Sequence, residues 1–116
     1  MKISYDKEND ILMAHKGFSR DERFKGNIDV GDLVIDVSTK MRIRGIEIFN
    51  ASDFLKEFLK PLKSGLVLRN IEDLRFSSSI KGNSMTISLS IIARIRDRMK
   101  EIPAKIAVPI STPALP

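Results

Sequence analysis

Two sets of charged side chains have types and spacing that suggest chemistry. Asp6, Asp10, Asp36 and Glu47 are carboxylates that, gathered on one side, would offer oxygen ligands to a divalent cation or supply a general acid and base. Neither their spacing nor a glycine at the expected turn matches an EF-hand loop. They read instead as turn-shaping residues (Asp6 and Asp10, through nearby amides) and as the solvated side of adjacent strands (Asp36 and Glu47). No metal site is expected from them. Arg94, Arg96, Arg98 and Lys100 are the basic counterpart, and with Arg75 and Lys81 they would make a stripe that neutralises several phosphates. His15 is the one histidine; it sits in a strand-like run with no Gly-x-Ser-x-Gly motif nearby to supply a nucleophile. Without cysteine there is no disulfide framework, zinc ribbon or thiol nucleophile. The expectation is a chain with no catalytic residues and no cofactor, hence not an enzyme.

Strands must position these side chains. Lys2–Tyr5 and Ile11–His15 flank the polar cluster Asp6-Lys7-Glu8-Asn9-Asp10, which predicts a hairpin with a charged loop. Residues 17–31 mix charges and glycines without sustained periodicity and read as an irregular surface excursion. A second hairpin follows, in which Leu33, Ile35 and Val37 share a face. Its return strand Ile43–Phe49 changes parity, and a β-bulge at Arg44-Gly45 repairs the change. Ser52 is placed to cap one main helix near 53–60, whose stripe Phe54, Leu55, Phe58, Leu59 and Leu62 packs on a sheet, with Pro61 limiting its length.

The second half is the better determined. Leu74, Phe76, Ser78 and Ile80 alternate into one face, Met85, Ile87, Leu89, Ile91 and Ala93 into another, and Gly82-Asn83 is a two-residue turn that pairs Lys81 with Ser84. Residues 94–102 suit either a strand or a helix; we read a strand, a turn near 97–100, then a last strand over 102–110. Pro103 and Pro109 fall on one parity of that strand, so both missing amides lie on the same side and mark an edge. Residues 111–116 read as a tail. The fold class is therefore α+β, mostly antiparallel hairpins with about seven strands and one main helix.

The 116 residues suffice for one domain, made here of a first half over 1–62 and a basic three-stranded half over 66–110, each too small for a core of its own. Residues 1–60 balance eleven basic against eleven acidic side chains, whereas residues 61–116 carry nine and four, so the second half holds the whole net charge of +5. Aromatic rings fall the other way, with Phe76 alone beyond residue 60, which separates basic charge from stacking partners. No run approaches the roughly 18 apolar residues of a membrane span, and the polar N-terminus does not resemble a secretory signal, so a cytoplasmic location is expected.

Residues Tyr5-Asp6, Asp10, Leu12, Val34-Ile35-Asp36-Val37, Gly45-Ile46-Glu47-Ile48 and Asn50-Ala51-Ser52 give the first 52 residues a resemblance to a bacterial and archaeal family known as domain of unknown function 2283. Family members usually carry an acidic, glycine-containing turn where this chain has Ser38-Thr39-Lys40-Met41-Arg42. The resemblance implies a binding role, some members looking like the antitoxin-like partner of a small neighbouring protein, and it brings no catalytic residues. Two functions are therefore carried forward. The first is an interaction module that forms a homo-oligomer or binds a small protein partner; the alternative is sequence-independent nucleic-acid binding through the basic second half.

Overall fold

The computed structural model describes residues 1–109, and the expected tail at 111–116 lies outside them. Strands β1 (Lys2–Asp6), β2 (Ile11–His15), β3 (Phe24–Val30), β4 (Leu33–Ser38) and β5 (Ile43–Phe49) form a five-stranded antiparallel sheet in the order β1-β2-β5-β4-β3. Strands β6 (Ile71–Lys81), β7 (Ser84–Ile95) and β8 (Arg98–Pro109) form a three-stranded antiparallel sheet in the order β6-β7-β8. Between the two sheets in sequence come three short helices, α1 (Ala51–Phe54), α2 (Lys56–Leu59) and α3 (Ser64–Arg69).

The helical segment corrects the expectation of one main helix near 53–60. The helix begins at Ala51, after an Asn50 in the left-handed region (φ 51°), and Ser52 lies inside it rather than at its cap. Leu55 relaxes to φ −92°, ψ −1° and separates α1 from α2. Lys60 is extended at φ −58°, ψ 146°, the conformation that the ring of the following Pro61 favours. The apolar stripe still does its packing work, with Leu55 and Leu59 buried and Phe54, Phe58 and Leu62 half-buried against the core. α3, which adds buried Val67 and Leu68, is a helix that the sequence does not predict, and it takes up the start of the segment expected to belong to the three-stranded half.

β3 is the strand that brings the number among the described residues to eight, where about seven were expected. Ile28 and Val30 pair with Ile35 and Leu33 across a turn at Gly31-Asp32. The bulge on β5 is where the parity argument puts it: Asp36 pairs with Gly45 and Val37 with Ile43, leaving Arg44 as the extra residue.

The β6–β7 register is the expected one, with Ile80 opposite Met85, Ser78 opposite Ile87, Phe76 opposite Leu89 and Leu74 opposite Ile91. The ambiguous stretch 94–102 is strand, and its turn lies at Arg96-Asp97 rather than at 97–100, joining Ile95 to Arg98. Both turn residues have positive φ, 52° and 63°. That is the type I′ geometry, which Asn-Gly adopts far more readily than Arg-Asp. The double change Arg96→Asn, Asp97→Gly is accordingly expected to raise stability by about 1 kcal/mol, after the extra freedom of glycine in the unfolded chain is deducted. A urea titration measures it; an unchanged or lower midpoint would show that the turn stores no strain.

One cluster of buried side chains runs through both halves, from Leu12, Ile35 and Ile48 of the first sheet through Leu55 and Leu59 to Leu74, Ile87 and Ile91 of the second. Two twelve-residue strands at about 3.3 Å per residue span roughly 40 Å, which explains the 44 Å long axis of a molecule otherwise 28 × 25 Å across. Lys16, just past β2, ties the sheets together: its ammonium lies 4.3 Å from the ring centre of Phe76 and donates to the Phe76 carbonyl. Burial, with Arg44 nearby, lowers the pKa of that ammonium. Among the described residues β8 pairs on one side alone, with Pro103 opposite Ser90 and Pro109 opposite Ser84, so it is an edge as the proline parity requires. No helix among the described residues is long and apolar enough to cross a membrane.

Candidate functional site

Strand alternation sends Leu12, Ala14, Ile46, Ile48, Leu33, Ile35 and Val37 into the core and leaves the other face of the five-stranded sheet outward. The pairings order that outer face into rows. One runs Lys2, His15, Gly45, Asp36, Asn27; the next runs Ser4, Met13, Glu47, Val34, Asp29; Asp6, Ile11 and Phe49 follow. Met13 is 46% exposed there. An open cleft of about 610 Å³ lies over this face, reaching Lys2, Ser4, Met13, His15, Asp36 and Glu47.

Gly45 lets the first row close up. A Cβ at this position would stand 2.5 Å from His15 Cδ2 and 2.7 Å from Asp36 Oδ2, so the requirement for glycine is the approach of two neighbouring side chains rather than a special backbone angle. His15 Nδ1 accepts the Gly17 amide at 2.8 Å, which leaves the proton of the neutral ring on Nε2, 3.7 Å from Asp36 Oδ2. Phe18 packs edge-on to His15 with ring centres 5.3 Å apart, and Phe24 continues the contact at 6.4 Å. Phe18 and Phe24 are 40% and 52% exposed, so the cleft has an aromatic flank.

The acidic residues singled out in the sequence are not gathered. Asp36 and Glu47 lie on the outer face of adjacent strands, as does Asp6 at its corner. Asp6 also shapes the first turn, accepting the Glu8 and Asn9 amides at 3.1 Å each and the Asn9 side chain at 2.8 Å, bonds that lower its pKa. Asp10 is turned elsewhere. Its carboxylate accepts the Tyr5 hydroxyl at 2.6 Å, the Ser52 hydroxyl at 2.6 Å and the Ser52 amide at 3.0 Å, while its carbonyl accepts the Ala51 amide. It supplies from the first turn the cap that Ser52 was expected to supply, and its pKa falls because those donors outweigh the opposing effect of burial. Tyr5 moves the other way, to about 12, through burial and then the bond to Asp10. No three His, Cys, Asp or Glu side chains among the described residues could together hold a metal ion.

A buried carboxylate escaped the sequence reading. Glu22, in the excursion after β2, has a fully buried side chain: Oε1 accepts the Ser19 amide and hydroxyl at 3.0 Å each and lies 3.1 Å from Arg44 Nε, and Oε2 lies 3.2 Å from Arg42 Nε. The Ser19 amide, with the Ser38 and Ser19 hydroxyls and Arg42, holds its pKa at about 2 despite burial. Beside it, Asp21 pairs with Lys40 and Arg42. A single acidic pair at 21–22, facing basic residues at 40, 42 and 44, was the available signal, and it locks the excursion to the β4–β5 hairpin.

The six basic residues do not form one stripe. Arg75 and Arg94 lie on the outer face of the three-stranded sheet, but Arg75 pairs with Asp73 at 3.3 Å and Arg94 with Glu72 at 3.1 Å. Arg98 and Lys100 stand opposite Ile95 and Ala93, on the pleat parity of the buried face, and Arg96 occupies the turn. Lys81 is at the other end of the sheet, about ten residues or roughly 34 Å from Arg94. The outer face also carries Lys105 beside a hydroxyl ladder in which Ser77 faces Ser88 and Ser79 faces Thr86.

Residues 2–52 match the model of a family described as Protein of unknown function (DUF2283). The match ends inside α1, so it takes in the five-stranded sheet and the Asp10–Ser52 bond. An uncharacterized protein of Methanocaldococcus jannaschii is 28% identical over 109 residues, 87% of this chain and 82% of the relative. That likeness extends past the family match into the second sheet. No solved structure matches the chain.

Proposed function

We propose that this chain is a non-enzymatic, cytoplasmic interaction module that associates with a second copy or with a small protein partner. The observation behind this reading is the outer face of the family-matched sheet. It carries exposed Met13, is flanked by exposed Phe18 and Phe24, and leaves Phe49 half-buried outside the core cluster. An exposed apolar patch of this kind marks a contact surface more often than decoration. An antitoxin-like role, as the family resemblance implies, is one form of it.

Size-exclusion chromatography with light scattering at low and high salt, recording absorbance at 260 and 280 nm, is the test. The expected result is a mass above the 13.1 kDa monomer at high micromolar concentration, with no excess at 260 nm. With one tyrosine and no tryptophan the protein absorbs weakly, so bound nucleic acid is conspicuous. A strict monomer argues against self-association, and a salt-sensitive excess at 260 nm would transfer the function to the basic half.

A further inference from the structure

Two uncovered faces of opposite charge lie on one molecule. The outer face of the five-stranded sheet carries Asp6, Asp29, Asp36 and Glu47 against Lys2. The outer face of the three-stranded sheet carries Arg75, Lys81, Arg94 and Lys105 against Glu72, Asp73 and Glu101, a small excess of positive charge in which Lys81 and Lys105 have no carboxylate partner among the described residues. Each also holds apolar side chains that the core leaves out: Met13, Val34 and Phe49 on the acidic face, Ile92 and Met99 on the basic one.

We infer that the acidic face of one copy docks on the basic face of the next, sheet against sheet, in a head-to-tail assembly. This rests on the interaction-module reading and gives it a partner and a geometry. Charge complementarity chooses the occupant, because like faces would set carboxylate against carboxylate or cation against cation. In the proposed pairing Glu47 and Asp29, flanking Val34 in one row, meet Arg75 and Lys105, which flank the serines of the central strand.

Area sets the strength. Five strands about 4.8 Å apart and about five residues long give the acidic face roughly 24 by 17 Å, about 400 Å². A stable complex of two folded proteins buries about 800 Å² on each partner. The contact is therefore weak, populated at high micromolar concentration, and salt-sensitive because charge supplies much of it. Since the two surfaces differ, each added copy exposes a fresh one, and the assembly grows with concentration unless it closes into a ring.

Two charge-reversed variants test this with the full chain. Asp29→Lys with Glu47→Lys removes the acidic face, and Arg75→Glu with Lys105→Glu removes the basic one. All four positions lie on the outer faces, and circular dichroism is the check that each variant is folded; Asp36→Asn is a milder replacement for the first pair. In sedimentation velocity each variant alone is expected to associate at least roughly tenfold more weakly than the parent chain. Mixed in equal amounts, they are expected to form a dimer that grows no further, since one intact face of each type remains. Parent-like association of either variant, or no recovery on mixing, overturns head-to-tail docking while leaving self-association intact. A parent chain that stays monomeric at high micromolar concentration overturns both.

Discussion

Replacing Asp10 with alanine is expected to destabilise the fold by about 3 kcal/mol, a large fraction of the stability of a domain this size. Three losses combine. The carboxylate caps a helix from a distant turn by accepting the Ser52 amide and hydroxyl, and losing such a cap costs about 1 kcal/mol. It also accepts the Tyr5 hydroxyl at 2.6 Å, a bond to a charged group worth about 1.5 kcal/mol. Asp10 itself has a φ of 56°, which aspartate and asparagine tolerate better than alanine by about 0.5 kcal/mol. Asp10→Asn keeps the backbone preference and one acceptor, so about half the loss is expected.

Tyr5 reports the same network directly, since it is the only tyrosine in the chain. Its phenolate absorbance is expected to titrate near pH 12 in the native protein and at a lower pH in Asp10→Asn, which loses the nearby negative charge but keeps the burial that is the larger cause of the shift. Because the folded pKa lies above the unfolded one, the contribution of Tyr5 to stability is full below about pH 10 and lost as pH rises towards 12. Asp10 has the opposite dependence: its folded pKa is lowered, so its contribution is present above about pH 4 and lost as pH falls. A tyrosine that titrates alike in both proteins would remove Asp10 from the network.

The elements legible in the sequence are those that local rules determine. The β6–β7 register follows from a two-residue turn and two alternating strands that admit one pairing, and the β5 bulge follows from a parity break beside a glycine. What escaped depends on distant partners. β3 has a glycine, an asparagine and an aspartate among its seven residues, so its preference for strand comes from pairing with β4. The six residues of α3 are too few to nucleate a helix in isolation, and burial of Val67 and Leu68 supplies what propensity does not. Asp10 reads as a turn residue because its helix lies 42 residues away. Glu22 reads as solvated because both of its cations, Arg42 and Arg44, come from another hairpin. For the candidate site, the outward placement of Asp36 and Glu47 was legible from alternation. The approach of His15 and Asp36 over Gly45 was not, since it depends on which strands become neighbours.

Neutralising the partner of Glu22 is expected to be as damaging as losing Asp10. Arg44 is 17% exposed, and its Nε donates to the Gly17 carbonyl at 2.7 Å and lies 3.1 Å from Glu22. Arg44→Ala leaves a buried carboxylate with one arginine and frees the Gly17 carbonyl, for an expected loss of about 3 kcal/mol. Arg44→Lys keeps the charge but not the planar donors, so partial recovery is expected. The acid limb of the stability curve identifies Glu22 as the group involved. Its folded pKa of about 2 lies below the unfolded value near 4.3, so its contribution is complete above that unfolded value and disappears as pH falls towards 2. Glu22→Gln has no such proton to take up, and its stability is expected to fall less steeply between those two pH values, even though it begins lower at neutral pH. Urea midpoints measured across that range for both proteins decide the matter. Parallel curves would mean that folding does not lower the Glu22 pKa, and that its pairing with Arg42 and Arg44 adds no stability through the carboxylate charge.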